Sequence, residues 1–556
     1  MDPRPPAEHE PARPDLDPSR EEGWSSEQPR AHKKRRVALI VGVAVVAALG
    51  ATAAAAMRFM AGSDAKLLER VPASADAAFS VYLDPAAGQK VNLLRMATAF
   101  PDVGDEQKLR DRVNDALDEG LAELGLSHED LDWVGSQVAG YIDFEAGIDD
   151  PTGALMVAVD EEDGASAAVD ALVAAAEERG ETVTVEDHDG VEVHVSDQEG
   201  AGALALTDGM VVIASSADVI DELTSLEVGD SLTASSRFTE TMAELPGAHL
   251  AMVYANVADL MGAVEESMAA SGVTADQLNA DGFESVGLTV SAEPDGLAVD
   301  SFAGVDASRL SDEQRELLGS DHTNGLLDLV SADAFGVAAQ SGLDVAVGQA
   351  LGDLAAQDPT VAAELERLGV TGPGGLTSIL GPDLALEVTR GSALPVEGAL
   401  MLSTSEPDTM RDLMDRWARQ LGGVIPGGSR WVDGEHAGVS FVYLEEPAEL
   451  PVAYGIIDDV AVVASSPDEM IRIIERSQGG GRSIVEDQAY TAAVGRVPHD
   501  DAVVFVNVAD IVAFVREQMG AQAGDELESL DPVTTVTAGT SSDLDGWRQR
   551  LFIEIS

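Results

Sequence analysis

Met210-Val-Val-Ile-Ala-Ser-Ser-Ala-Asp218 returns as Val460-Ala-Val-Val-Ala-Ser-Ser-Pro-Asp468. Each reads as a strand, a serine pair and the start of a helix, and the repetition extends outward in both directions. Tyr254-Ala-Asn-Val-Ala-Asp-Leu260 returns as Phe505-Val-Asn-Val-Ala-Asp-Ile511, and Gly153-Ala-Leu-Met156 returns as Gly398-Ala-Leu-Met401. Leu67-Leu68 before a strand returns as Leu326-Leu327. The offsets stay between about 245 and 260 positions and keep their order, far longer than the roughly 20–50 residues of solenoid repeats. The sequence therefore predicts two tandem homologous domains, 66–304 and 325–556, joined by a polar connector at 305–324.

Within the first copy the pattern predicts a strand at Ala77–Leu83, then a helical stretch with Leu109, Val113, Ala116, Leu117, Leu121 and Leu124 on one face. Strands at Val134–Phe144 and Ala154–Val159 follow, then a helix from Ala165 to Arg179. Two hairpins come next, one turning at Asp187-His-Asp-Gly190 and one at Asp208-Gly209, because Asp-Gly between apolar runs accommodates the left-handed backbone of a tight turn. The second copy has Asp458-Asp459 at the latter turn. Helices from Asp218, Ser235 and Asp259, a strand at Leu250–Asn256 and a hairpin at Pro294-Asp-Gly296 complete the unit. Leu544-Asp-Gly546 closes the second copy in the same way, leading to a last strand at Phe552–Ile555. Consecutive hairpins mean mostly antiparallel sheet, so the expected class is α+β with helices on one face of each sheet.

Val37 to Met57 holds 21 residues without a charge. At roughly 1.5 Å per residue they span about 31 Å, the thickness of a bilayer core. Lys33-Lys-Arg-Arg36 precedes the segment and only Arg58 follows directly, which predicts a single-pass transmembrane helix with a cytoplasmic N-terminus. Ala53-Ala-Ala-Ala56 offers small residues to a signal peptidase, but the apolar run exceeds the roughly 7–15 residues of a secretory signal. Residues 1–36, with seven prolines and balanced charge, read as a disordered cytoplasmic tail, and 58–65 as a stalk. The bulk of the chain is thus expected outside the cell membrane.

The chain has 100 acidic against 33 basic residues, net −67, and all five lysines lie at or before Lys108. Such a surface repels nucleic acid and anionic lipid headgroups. It reads first as a solvated face and second as a cation-attracting one, with weak binding of divalent cations at acidic clusters. Cysteine is absent, which removes disulfides, thiolate metal sites and thiol nucleophiles. Aromatics are 4% of the chain, so the cores rest on Ala, Val and Leu.

Leu67-Leu-Glu-Arg-Val-Pro-Ala-Ser-Ala-Asp-Ala-Ala-Phe-Ser-Val-Tyr-Leu-Asp-Pro85 resembles the opening of the bacterial domain of unknown function 3352 family, as does Val211 to Leu223. The resemblance extends over nearly all of 66–556. It implies a membrane-anchored or exported bacterial protein with no established activity, and it supplies no site residues.

Candidate chemistry reduces to local structure. Ser215-Ser216 and Ser465-Ser466 sit at strand ends before Ala217-Asp218 and Pro467-Asp468, the signature of an N-cap rather than of a Gly-x-Ser-x-Gly nucleophile elbow. Asn256 with Asp259, and Asn507 with Asp510, fit a capping-box variant. His188 and His436 precede Gly190 and Gly438 by two positions in a turn, and His194 has Val442 at its place in the second copy. The Asp187–Gly190 turn is partly like an EF-hand loop but has Val185 and Ser196 where ligands would be needed. Ser63-Asp-Ala-Lys66 matches Ser-x-x-Lys, yet no lysine lies beyond Lys108 to supply a Lys-Thr-Gly strand. Asp160-Glu-Glu-Asp163 suits a helix N-terminus. No Walker loop, His-Glu-x-x-His or Gly-x-Gly-x-x-Gly is present. The expectation is a binding or structural module with no catalytic, cofactor-binding or metal residues, its protein or lipid partner unspecified. The alternative is an extracytoplasmic carrier of a lipid or other apolar ligand.

Overall fold

A computed structural model describes residues 66–100, 131–145, 147, 150–196, 202–262, 282–310, 315, 318, 323–391, 394–422, 430–445, 451–520 and 525–556. The expected tail, transmembrane segment and stalk lie outside the described residues, as do the helical stretch at Leu109–Leu124 and much of the 305–324 connector. Among the described residues no helix is long and apolar enough to cross a membrane.

The first half runs β1 (Ala77–Tyr82), α1 (Ala87–Ala99), β2 (Val134–Asp143), β3 (Thr152–Val159) and α2 (Glu162–Glu178). It continues through β4 (Val183–His188), β5 (Val191–Ser196), β6 (Ala203–Thr207), β7 (Met210–Ala214), α3 (Ala217–Ser225) and α4 (Ser236–Ala243). β8 (Ala251–Ala255), β9 (Phe283–Glu293) and β10 (Gly296–Val305) close it. The second half begins β11 (Ala334–Gln340), α5 (Leu343–Gln357), α6 (Pro359–Leu368), α7 (Leu376–Ile379), β12 (Leu380–Arg390), β13 (Val396–Thr404) and α8 (Pro407–Gly422). Then come β14 (Trp431–His436), β15 (Val439–Leu444), β16 (Ala453–Ile457), β17 (Val460–Ala464), α9 (Pro467–Ser477) and α10 (Gln488–Val494). β18 (Ala502–Asn507), α11 (Val508–Met519), β19 (Val533–Asp543) and β20 (Gly546–Ile555) end the chain. The class is α+β.

All twenty described strands belong to one antiparallel sheet. Across the first half the order is β4-β5-β6-β7-β3-β2-β1-β8-β9-β10. The second half then runs in mirror order, β20-β19-β18-β11-β12-β13-β17-β16-β15-β14. The two last strands form the seam, with Gly296 opposite Glu554, Asp300 opposite Arg550 and Gly304 opposite Gly546. Glycine is needed at both ends of it. A Cβ on Gly296 would lie 2.2 Å from the Ile553 carbonyl oxygen, and one on Gly546 would lie 2.2 Å from that of Ala303. The Asp-Gly hairpin turn is realised with positive φ at both residues, 48° at Asp208 and 72° at Gly209, the backbone that matches strand twist.

Helices cover both faces of the sheet, which corrects the expectation of one face. On one side, α3 buries Val219, Ile220 and Leu223 against Met156, Val212 and Ala214. On the other, α2 buries Ala165 and Val169 against Val81, Val138 and Val211. Val211 and Val212 are neighbours on β7 and therefore point to opposite faces. The second half repeats this arrangement. Met470, Ile473 and Ile474 of α9 meet Met401 and Val462, whereas Met410, Leu413 and Met414 of α8 meet Tyr454 and Ala461. The physical reason lies in the strands: Met210-Val-Val-Ile-Ala214 is apolar at every position, and although Ile213 stays 41% exposed, Val211 and Val212 on opposite faces are both buried. Each such buried Val, Ile or Leu contributes about 1.5–3 kcal/mol.

Candidate functional site

Ser216 Oγ accepts from Val219 N (3.4 Å) and Ser466 Oγ from Glu469 N (3.0 Å), so each serine N-caps its helix. The preceding serines tie the same corner to the sheet: Ser215 Oγ accepts from Gly153 N and Ser465 Oγ from Gly398 N. These hydroxyls are held by backbone donors at a strand–helix junction, and what lies beneath that junction differs between the halves.

In the second half it is a buried ionic cluster. Glu387 on β12, Glu397 at the start of β13 and Glu469 in the first turn of α9 are all buried. Residues 469, 472 and 476 are spaced three and four apart and so share one helix face. Arg472 donates to Glu397 and Glu469. Arg476, with its side chain only 7% exposed, donates to Glu387 (2.5 Å), Glu469 (3.4 Å) and the Leu329 carbonyl (2.6 Å). Ser331 N donates to the second Glu387 oxygen (2.7 Å), Ser466 Oγ to Glu397 (2.8 Å) and Thr389 Oγ1 to Glu469 (3.4 Å). Every carboxylate oxygen of the three glutamates thus meets a donor, as a buried charge requires. Burial pushes the Glu387 carboxyl above the usual range, against the pull of Arg476, and Glu469 pushes it the same way. A network so saturated presents no free group for chemistry.

The matching positions in the first half follow from the sheet register. Tyr141 lies opposite Ala78 and Ala154, as Glu387 lies opposite Val337 and Ala399. Asp143 faces Thr152 as Thr389 faces Glu397. Counting from the capping serines, Val219, Glu222 and Leu226 stand where Glu469, Arg472 and Arg476 stand. Both arginines and all three glutamates of the cluster are therefore replaced. Tyr141 is 5% exposed, and among the described residues its hydroxyl has no hydrogen-bond partner. Its pKa is pushed up by burial, with Glu222 and Asp143 adding to the shift. Asp76, 6% exposed, accepts from Phe144 N (2.6 Å), and Asp143 accepts from Glu145 N (2.7 Å). Burial raises the pKa of Asp76, as do Asp143, Asp259 and Glu145 beside it. Glu222 is raised by burial and by Asp143 and Glu145.

The other residues weighed from sequence are not brought together. Asn507 caps α11, accepting from Asp510 N (3.1 Å) and donating back to its carboxylate (2.7 Å). Asn256 does the same with Asp259 and also accepts from Arg237 (2.7 Å). His188 Nδ1 lies 2.9 Å from Asp221 and its Nε2 3.2 Å from Glu186, contacts that hold the imidazole pKa above its ordinary value, Asp221 first. His436 lies 3.2 Å from Glu475, and His194 Nδ1 is buried without a partner among the described residues. Asp187 accepts from Gly190 N inside its own turn (3.3 Å). Glu162 and Asp163 occupy the first turn of α2, though Glu161 at its N-cap makes no capping bond. Lys66 pairs with Glu69 (3.1 Å), and Ser63 lies outside the described residues. Among the described residues no three His, Asp or Glu side chains converge to hold a metal ion. A groove of about 240 Å³ runs along the sheet end between Gln340, Asp501, Thr540 and Trp547.

The Glu–Arg cluster is not legible from the repeat, because it exists in one copy only. A signal was present. In Ala385-Leu-Glu-Val-Thr389, Glu387 shares parity with inward Ala385 and Thr389, a charge written on the core face of a strand.

The family described as "Protein of unknown function (DUF3352)" matches residues 37–371, more than half of the chain, and the chain belongs to it. The match stops short of the 66–556 span that the resemblance suggested. No curated protein matches the chain. Three crystal forms of TP0453 are similar at 11–12% identity and a TM-score of 0.22. Form III covers 48% of this chain and 91% of that one; form I covers 46% and 88%. At that score the likeness carries no argument about fold or function.

Proposed function

We propose that this protein is a single-pass membrane protein, cytoplasmic at its N-terminus, that presents two homologous domains outside the cell membrane as an acidic binding or structural scaffold. The domains are 66–304 and 325–556. The observation that carries the scaffold reading is that the polar side chains recurring in both halves, Ser216/Ser466 and Ser215/Ser465, are engaged as caps and corner ties. Where the halves differ, the second has a fully paired ion cluster, again a structural arrangement. The carrier alternative draws less support. The 240 Å³ groove is smaller than the ~300–1,000 Å³ clefts that enclose small ligands, and it opens along the sheet end.

The address rests on Val37–Met57 and the basic run Lys33–Arg36. Protease added outside intact spheroplasts should digest the chain beyond Arg58 and spare an N-terminal tag. Protection of a C-terminal tag would reverse the orientation, and a mature N-terminus near Ala56 would replace the anchor with a cleaved signal.

A further inference from the structure

We propose that the acidic site beneath α3, where Asp143 and Glu222 flank the Tyr141 side chain and Asp76 and Glu145 adjoin Asp143, takes an arginine side chain from a partner protein, at the helix position that carries Arg472 in the second half. This deepens the binding reading above and rests on it.

Three observations converge. Tyr141 and Asp143 are two apart on β2 and so point to the same face, the one that α3 covers. Asp76 joins them from the chain before β1 through the Phe144 amide, and Glu222 stands over them on α3. Among the described residues none of the four carboxylates has a Lys or Arg partner, although each is exposed to the repulsion of at least one of the others. The second observation is independent of charge. The Tyr141 hydroxyl is buried and bonds to nothing among the described residues, whereas buried polar groups in native proteins are almost always paired, so a missing partner asks for an occupant. The third is internal. At the equivalent place the fold already accommodates guanidinium groups: Arg472 stands at the position of Glu222 and bridges two carboxylates, and Arg476 reaches the residue equivalent to Tyr141.

The chemistry favours guanidinium over a metal ion. No three of the acids converge into a coordination shell. A guanidinium instead spreads five N–H donors over a planar fork, so it can serve separated carboxylates and a phenol oxygen at once. Glu222 and Glu145 are exposed and meet an arriving cation first, whereas Asp143 and Tyr141 are buried. The two exposed acids belong to a surface of net −67, which favours cationic partners before contact.

The test is calorimetric titration of the full-length protein in detergent at low salt. The probes are a blocked peptide, acetyl-Gly-Arg-Gly-amide, and its citrulline analogue, which keeps the shape and removes the charge. The arginine peptide should bind and the citrulline peptide should not. Glu222→Arg supplies the missing cation from within and should weaken arginine binding at least tenfold, whereas Glu240→Arg, the same charge change on exposed α4, should not. Tyr141→Phe should weaken binding at least threefold while the melting temperature holds or rises. Equal losses in the Glu222 and Glu240 variants would reduce the effect to bulk electrostatics and overturn the proposal. So would unchanged binding in Tyr141→Phe, or a site that takes calcium in a Glu222-dependent manner and ignores the peptide. None of these outcomes bears on the spheroplast result, so the site and the membrane topology fail separately.

Discussion

The junctions beneath α3 and α9 begin from the same backbone and reach opposite electrostatic solutions. Both helices start at a capping serine, and both lie on the same face of the sheet. In the second half, three buried glutamates are matched by two arginines and three further donors. In the first, the acids lie nearer the surface, the arginines are gone and a tyrosine hydroxyl is stranded below. The difference shows how little of a repeated fold constrains the chemistry built on it. Packing needs the apolar positions Ile220/Met470 and Leu223/Ile473, and those are kept, while the polar positions between them are free to diverge.

The comparison is broken most severely by Arg476→Met, which leaves Glu387 and Glu469 buried short of a cation. It should cost about 3–5 kcal/mol in urea unfolding, the loss typical of a buried pair deprived of one partner. Leu226→Met at the matching place should cost less than about 1 kcal/mol. Near-equal losses would mean the cluster is not the main support of its junction.

A pH series comes next. Glu387 has a folded pKa above its unfolded one, so the folded state holds the proton more tightly. That contribution is complete below the ordinary glutamate range and declines as pH rises through it toward the folded value. His188, also raised, contributes below its ordinary value of 6.5 and loses that as pH climbs further. Melting temperature should therefore fall from pH 5 to pH 8, and because the Glu387 carboxyl is pushed up to about 8, Glu387→Gln should flatten the slope across that whole range. An unchanged slope in that variant would place the acid-side stability elsewhere.

Salt should act on both halves together. Self-repulsion at net −67 weakens as the Debye length shrinks from about 10 Å at 0.1 M to 3 Å at 1 M, so melts should rise with NaCl from modest concentrations. Magnesium and calcium at matched ionic strength should exceed sodium only if acidic clusters such as Asp160–Asp163 hold them. The smallest effect is Tyr141→Phe without ligand. Removing an unpaired buried hydroxyl should leave stability equal or raise it by about 1 kcal/mol. A loss beyond that would reveal a partner for the hydroxyl.

The hairpins were legible because their cause is local. Asp208-Gly209 and Pro294-Asp-Gly296 specify the turn, and the flanking apolar runs specify the strands. The repeated order was legible because Met210–Asp218 and Val460–Asp468 could be set against each other. The two-sided burial was written in unbroken runs such as Ala453-Tyr-Gly-Ile-Ile457, every residue of which is buried, but an apolar run does not say what covers it. The pairing of β7 with β3, which sets the β4–β6 meander outside, depends on contacts about 55 residues apart along the chain, and no local signal encodes them. The ion cluster joins residues from 329 to 476, and only the misplaced parity of Glu387 points to it.

The seam has a consequence for self-association. Gly296 and Gly546 are equivalent turn glycines, and each lies at the far end of the other's strand, so the pairing has a local dyad that passes between Asp300 and Arg550. Those two residues occupy the same position in their respective copies. Arg550 reaches Asp300 at 3.5 Å and also bonds Glu293, so at the dyad an acid meets a base. Two first halves joined by the same register would set aspartate against aspartate, and two second halves arginine against arginine, both repulsive across an antiparallel pair. The sequence asymmetry at this one position acts as a mating code: it favours union of unlike halves within a chain and discourages exchange of like halves between chains.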